Sequence, residues 1–204
     1  MLKLYYMPGA CSSVPHVALE WSGLDYVAEK VDRAKIKSPE YLALNPQGAV
    51  PLLQEGSWVL TQNVAILDYI NDLAPQANLF GKGDIRQRAK SRQWLAFVNA
   101  DLHKAFVPLF APNYYLDGDD AAAKLAPKAL ANILRLFGIA NEQLAKSDYL
   151  NGELTIADVY LYVTLRWAKA LKIDLSVLTA LEPFFQRIEQ NAGVQAVLKQ
   201  QGLL

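Results

Sequence analysis

Cys11 is the only cysteine among 204 residues. It sits between a strand-forming run, Leu2–Tyr6, stopped by Pro8-Gly9, and a helix that Ser12, Ser13 and an early Pro15 would start. Backbone N–H groups at a helix N-terminus favour negative charge. A thiol there is expected below its reference pKa of about 8.5, as a reactive thiolate, and the same position suits a ligand's thiolate. The alternative reading is a small buried core residue, a common fate of free cysteine. The Ser12-Ser13 pair reads as a helix cap.

Five other places carry polar groups or motifs. Val50-Pro51 follows the Asn45-Pro46-Gln47-Gly48 turn and opens a strand. Proline cannot donate to a sheet ladder, and the trans preference before it is only about 0.5–1 kcal/mol, which admits a cis bond. The N–H and C=O of Val50 would then face outward and suit β-type pairing with an extended peptide; without a ligand this is simply an edge-strand proline. Gln62-Asn63 lies where a strand gives way to a helix, so its amides and free N–H groups suit a carboxylate, or else cap the helix. His103 falls at the edge of a helical apolar stripe, on the side of Asn99, and faces either a cleft or the surface. His16, one helical turn after Ser12, reads as structural or exposed. Thr155-Ile156-Ala157-Asp158 has the spacing of a capping box before an apolar helix, whose physics is nucleation rather than catalysis.

The elements that position these residues come from periodicity. Strands are expected at Leu2–Tyr6, Tyr26–Val31, Val50–Gln54 and Trp58–Thr61, with a hairpin turn at Glu55-Gly56-Ser57. Helices are expected from Ser12 to Gly23, from Ser38-Pro39 to Leu44, and from Gln62 to just before Pro75. The order βαβαββα within the first 77 residues is thioredoxin-like. Residues 78–84 read as a linker. The remainder, 85–204, reads as an all-helical bundle domain: long helices over 85–110, 121–145 and 155–171, the last apolar on all sides and so central, and shorter ones over 178–190 and 194–200.

Bulk properties narrow the function. Lys+Arg and Asp+Glu are 20 each, so the basic excess of a nucleic-acid binder is missing. With 52% hydrophobic and 20% charged residues the chain is globular rather than disordered. One cysteine builds no internal disulfide, which fits a reducing compartment. No signal-peptide run and no stretch of roughly 20 apolar residues is present, so a cytoplasmic location without membrane attachment is expected. The sequence offers no metal-ligand cluster.

Taken in order, the segments LYYMPGACSSVPH, NPQGAVPLL, VLTQNVAILDYI, LHKAFVPLF and LNGELTIADVYLYVTLRWA resemble the cytosolic glutathione S-transferases, most of all the bacterial beta class. The resemblance spans the whole chain. It implies a homodimer that takes glutathione as co-substrate, with one glutathione site per subunit at the cleft between the domains. By resemblance, Cys11 matches the class cysteine beside the glutathione sulfur, able to form a mixed disulfide with it, and His103 matches a histidine near the same sulfur. Val50, before Pro51, matches the residue that pairs with the cysteinyl backbone. Gln62 and Asn63 match the pair that holds the γ-glutamyl end, Lys35 lies in the loop that reaches the glycyl carboxylate, and Asp101 matches a residue touching glutathione of the partner subunit. The sequence departs from the class at Gln62-Asn63, where an acidic residue followed by a small one is usual, and at Ala96, where relatives often carry a polar ligand residue. Loss of the acidic group removes a partner for the ligand's ammonium.

The activity so implied is conjugation of the glutathione thiolate to hydrophobic electrophiles, of the detoxification type, without a metal. Phe106, Phe110, Tyr114, Tyr115 and Trp167 are candidates for the electrophile site, or for core packing, as is expected of Phe106. Two alternatives remain: thiol–disulfide exchange through Cys11, and a non-catalytic glutathione-transferase-like binding protein.

Overall fold

In the computed structural model, which describes residues 1–204, the chain opens with strand β1, Leu2–Tyr6, buried at Leu2, Leu4, Tyr5 and Tyr6. Helix α1, Ser13–Ser22, carries the chain across to β2, Tyr26–Lys30, which pairs parallel with β1. A parallel pair needs such a crossover, and Gly23 ends the helix in the left-handed region at φ 68°. After a single tight turn at Lys35–Lys37 and helix α2, Pro39–Leu44, strand β3, Leu52–Glu55, pairs antiparallel with β1 and with β4, Trp58–Thr61. The sheet order is β2-β1-β3-β4, and helix α3, Asn63–Leu73, follows. The expected βαβαββα order is what the fold contains.

Beyond it the helices are α4 (Ile85–Ala96), α5 (His103–Ala105), α6 (Val107–Phe110), α7 (Ala121–Leu144), α8 (Ile156–Ala170), α9 (Leu181–Glu189) and α10 (Ala192–Gln201). Two compact units result: Met1–Lys82 with Ile188–Leu204, and Gly83–Arg187. Residues 188–204 thus cluster with the sheet unit, not with the helical stretch to which sequence order assigned them. The reason is specific: α10 packs on α1, and Gln201 accepts from Gly9 N at 3.0 Å and from Ser13 Oγ at 3.0 Å.

Other boundaries move as well. Strand β3 begins at Leu52 rather than Val50, because Pro51 has no N–H to give the ladder. The segment 78–84 is not a loose connector: Leu79 and Phe80 are buried, and Asp84 closes a capping box with Gln87 at the start of α4. The long helix expected over 85–110 is interrupted. Phe97–Leu102 is wound as a π-turn, so that His103 N donates to Val98 O five residues back, and Phe106 ends α5 before Pro108 enters α6. In the second unit α8 is central as expected, buried from Ile156 through Leu165. Its Asp158 carboxylate accepts from Thr155 N, Thr155 Oγ1 and Leu150 N, each at 2.8 Å. No helix is long and apolar enough to cross a membrane.

Candidate functional site

Cys11 lies in the turn between β1 and α1, buried, with its Sγ 3.5 Å from Val50 O. The turn is braced from inside. Ser12 Oγ accepts from Met7 N at 3.1 Å and donates to Met7 O at 3.3 Å, while Ser13 Oγ donates to Gln201. Neither serine caps α1 as the sequence suggested; each spends its hydroxyl on holding the turn that carries Cys11. His16, expected to be structural or exposed, is fully buried. Its Nδ1 is 3.1 Å from Gln201 Nε2 and its Nε2 is 2.8 Å from Gln200 Oε1. Gln201 Oε1 faces two donors, so the amide NH2 end must meet His16. Nδ1 is therefore the acceptor, and Nε2–H donates to Gln200. Burial holds this imidazole's pKa below the ordinary value, which keeps it neutral.

The Val50-Pro51 bond is cis. The loop before it is fixed from several sides: Tyr41 Oη donates to Ala49 O at 2.8 Å, Asn45 Nδ2 to the same oxygen at 2.7 Å, and Lys37 Nζ to Gly48 O at 3.2 Å. Gly48 has φ +56°, and a Cβ there would meet Ile36 O at 2.8 Å, so the loop admits glycine alone at this point. Val50 itself packs against the core cluster formed by Tyr5, Val31, Tyr41 and Leu52. Its backbone lies outside the ladder, which starts at Leu52.

Gln62 stands at the N-cap of α3 with φ 73°, a conformation rare for non-glycine residues and concentrated at ligand-binding positions. Its exposed amide donates to Gln47 Oε1 at 3.2 Å, while Asn63, the first residue of α3, is buried. The cysteine turn, the Val50 loop and the start of α3 thus form one connected set within the first unit. Lys35 is exposed on its turn, two residues before the lysine that bonds the Val50 loop.

In the second unit His103 is half-buried, with Nδ1 2.7 Å from Tyr160 Oη. The same hydroxyl donates to Asn99 Oδ1 at 3.1 Å. The predicted grouping of His103 with Asn99 is therefore real, and it runs through a tyrosine that the sequence reading passed over as one more residue of an apolar helix. Trp167 packs edge-on to the imidazole, ring centroids 4.8 Å apart. Burial, helped by the neighbouring Lys104 cation, pushes His103 down to about 4, so it is neutral at pH 7. Phe106 is fully buried, as expected for core, whereas Phe110, Tyr114 and Tyr115 are exposed. Asp101 is exposed beside a hollow of about 390 Å³ that also takes in Lys104, Lys128 and Arg135.

Comparison with known proteins gives the family of the chain. Residues 1–72 match the glutathione S-transferase N-terminal domain, and residues 97–192 the C-terminal domain. Glutathione S-transferase GST-4.5 of Xanthomonas campestris pv. campestris is 48% identical over 203 residues, covering 99% of this chain and 100% of that protein. A glutathione S-transferase from Xylella fastidiosa superposes with a TM-score of 0.93 at 47% identity, all of both chains being covered. A bacterial beta-class enzyme from Sphingomonas chungbukensis superposes at 0.86 and 38% identity, over 99% of this chain and 100% of that one. On these matches, which run the length of the sequence, the chain belongs to the glutathione S-transferase family.

Proposed function

We propose that this protein transfers the glutathione thiolate to hydrophobic, electrophilic small molecules, acting in the cytoplasm as a homodimer. The observation that carries the reading is the placement of a thiol and an unladdered strand edge side by side. Val50 offers backbone groups to an extended peptide, and Cys11 Sγ lies 3.5 Å from its carbonyl oxygen. A cysteinyl residue paired there brings its sulfur to the turn that opens α1, where N–H groups favour a thiolate. The γ-glutamyl end then reaches Gln62 and the N-terminus of α3. Lys35 and the partner's copy of Asp101 supply the outer polar contacts. His103, neutral, takes the proton as the bound thiol ionises. The thiolate then attacks the electrophile, whose displaced electron pair departs with a leaving group or moves onto its activating group. The exposed aromatic group of Phe110, Tyr114 and Tyr115, with Trp167, receives that electrophile. The names of the relatives support the same chemistry.

Titration of glutathione into the wild-type protein by calorimetry tests this reading. Saturable binding in the micromolar to low millimolar range, weakened in Gln62→Ala, supports it. No binding under reducing conditions would sink it in favour of a fold retained for another partner. Cys11→Ala separates conjugation from thiol–disulfide exchange. Exchange needs the Cys11 sulfur to attack a glutathionylated disulfide and release a thiolate, so it vanishes in that variant, while conjugation persists within several-fold.

A further inference from the structure

A phenol hydroxyl has one proton to give, and around His103 that decides which nitrogen is bare. Tyr160 Oη donates to Asn99 Oδ1 at 3.1 Å, and Oδ1 accepts only. The imidazole Nδ1, 2.7 Å from the same phenol oxygen, must therefore bring its own proton. The chain runs Nδ1–H to Tyr160 oxygen, then Tyr160 O–H to Asn99 oxygen, and leaves Nε2 with a free lone pair. Asn99 lies inside the π-turn Phe97–Leu102 and His103 directly follows it, and both meet the same hydroxyl. Such local rewinding of a helix often marks functional sites. Tyr160 is fully buried on α8, and Trp167, two turns further along the same helix, holds the imidazole plane.

We propose that Tyr160 and Asn99 are positioning residues that lock His103 as the Nδ1–H tautomer, so that its bare Nε2 is the atom accepting the thiol proton. This rests on the conjugation reading for the identity of the donor, not for the tautomer. Burial and the Lys104 charge oppose protonation, so the lone pair is present at pH 7 but is weakly basic, and the imidazolium formed on proton transfer depends on the Tyr160 contact for its stabilisation. When the thiol proton moves to Nε2, the positive charge formed is shared through Nδ1–H with the phenol oxygen, the role an orienting group plays behind a catalytic histidine.

The protein contains 2 histidines, and their hydrogen bonds assign them opposite tautomers: Nε2–H for His16 and Nδ1–H for His103. Long-range proton–nitrogen correlation on the ¹⁵N-labelled full-length protein reads both, with His103→Gln identifying the peaks. The expected spectrum shows one imidazole of each kind. In Asn99→Ala the phenol proton is free to turn to Nδ1, so His103 switches to Nε2–H; in Tyr160→Phe the Nδ1–H form loses its acceptor and Nε2–H gains. In both variants the conjugation kcat falls by roughly 10²-fold with KM for glutathione within about twofold, and adding His103→Gln costs nothing further. If Tyr160→Phe fails to fold, the partly exposed Asn99 site still gives the test. A wild-type His103 found as Nε2–H, or one that stays Nδ1–H in Asn99→Ala, overturns the proposal. A tautomer that switches as expected while His103→Gln retains full kcat overturns the proton-accepting role, a failure of the conjugation mechanism that the spectra distinguish from failure of the tautomer lock.

Discussion

Gln62 is where the proposed glutathione site departs in chemistry from the class that the sequence resembles. With φ 73° at the start of α3, it presents an amide where the resemblance to the beta class implies a carboxylate. An amide gives the ammonium of a γ-glutamyl group an uncharged acceptor, and charge-assisted hydrogen bonds are about twice as strong as neutral ones. Gln62→Glu is expected to lower KM for glutathione by roughly 5–10-fold, equivalent to about 1–1.4 kcal/mol, with kcat unchanged because the contact lies away from the sulfur. The present hydrogen bond to Gln47 Oε1 survives the change if the Gln47 amide turns its NH2 toward the new carboxylate. Steady-state kinetics with glutathione as the varied substrate checks this; an unchanged or raised KM would place the ammonium elsewhere.

At the scale of elements, legibility in the sequence follows the range of the interactions. The strand β1, the turn at Pro8-Gly9, the hairpin of β3 and β4 and the capping box at Thr155–Asp158 are specified by residues within a few positions of one another, and each forms where sequence placed it, except that β3 runs from Leu52 to Glu55. The bracing of the cysteine turn is not local: Ser13 and Gln201 are 188 residues apart, and nothing near Ser13 announces that its hydroxyl leaves α1 uncapped. Tyr160 was hidden for the same reason, since its partners Asn99 and His103 lie 61 and 57 residues away. The π-turn lies equally beyond a periodicity argument, which assumes 3.6 residues per turn throughout. The consequence for α10 is measurable. Gln201→Leu keeps the volume but removes the partner of Gly9 N, Ser13 Oγ and His16 Nδ1, and buried polar groups left unpaired cost about 1–3 kcal/mol each. With partial rescue by water, a loss of about 3 kcal/mol is expected, or roughly 6–12 °C in Tm for a chain of this size. Because Cys11 is the only cysteine, its rate of reaction with a thiol reagent should rise in the same variant. A Tm within 1 °C of wild type would show that the brace is not what ties α10 to the turn; that threshold is roughly 0.3–0.5 kcal/mol.

For the whole molecule, formal charge balances at pH 7, 20 against 20, and positive charge builds up as the carboxylates protonate in acid. The buried titratable groups add their own pH dependence, which a difference between two variants isolates. His103 titrates near 6.5 in the unfolded chain and about 4 in the fold. Between those values the unfolded state binds the proton and the folded state does not, so stability falls as pH drops from about 6.5 to about 4, and the loss is complete below that. A shift of this size corresponds to about 3 kcal/mol. His16, also lowered by burial, adds a loss of the same sign. Asp158 works the other way: burial raises it from 3.8 to about 6, so its folded form takes up a proton first and gains stability as pH falls through 6. Subtracting His103→Gln from wild type cancels His16 and Asp158, which both chains retain. Urea unfolding at pH 7 and pH 4 should then show wild type losing about 3 kcal/mol more than the variant across that interval. Parallel losses in the two proteins would mean that His103 is as easily protonated in the fold as in water, and a histidine so exposed could not hold the neutral, oriented imidazole on which the proposed proton transfer depends.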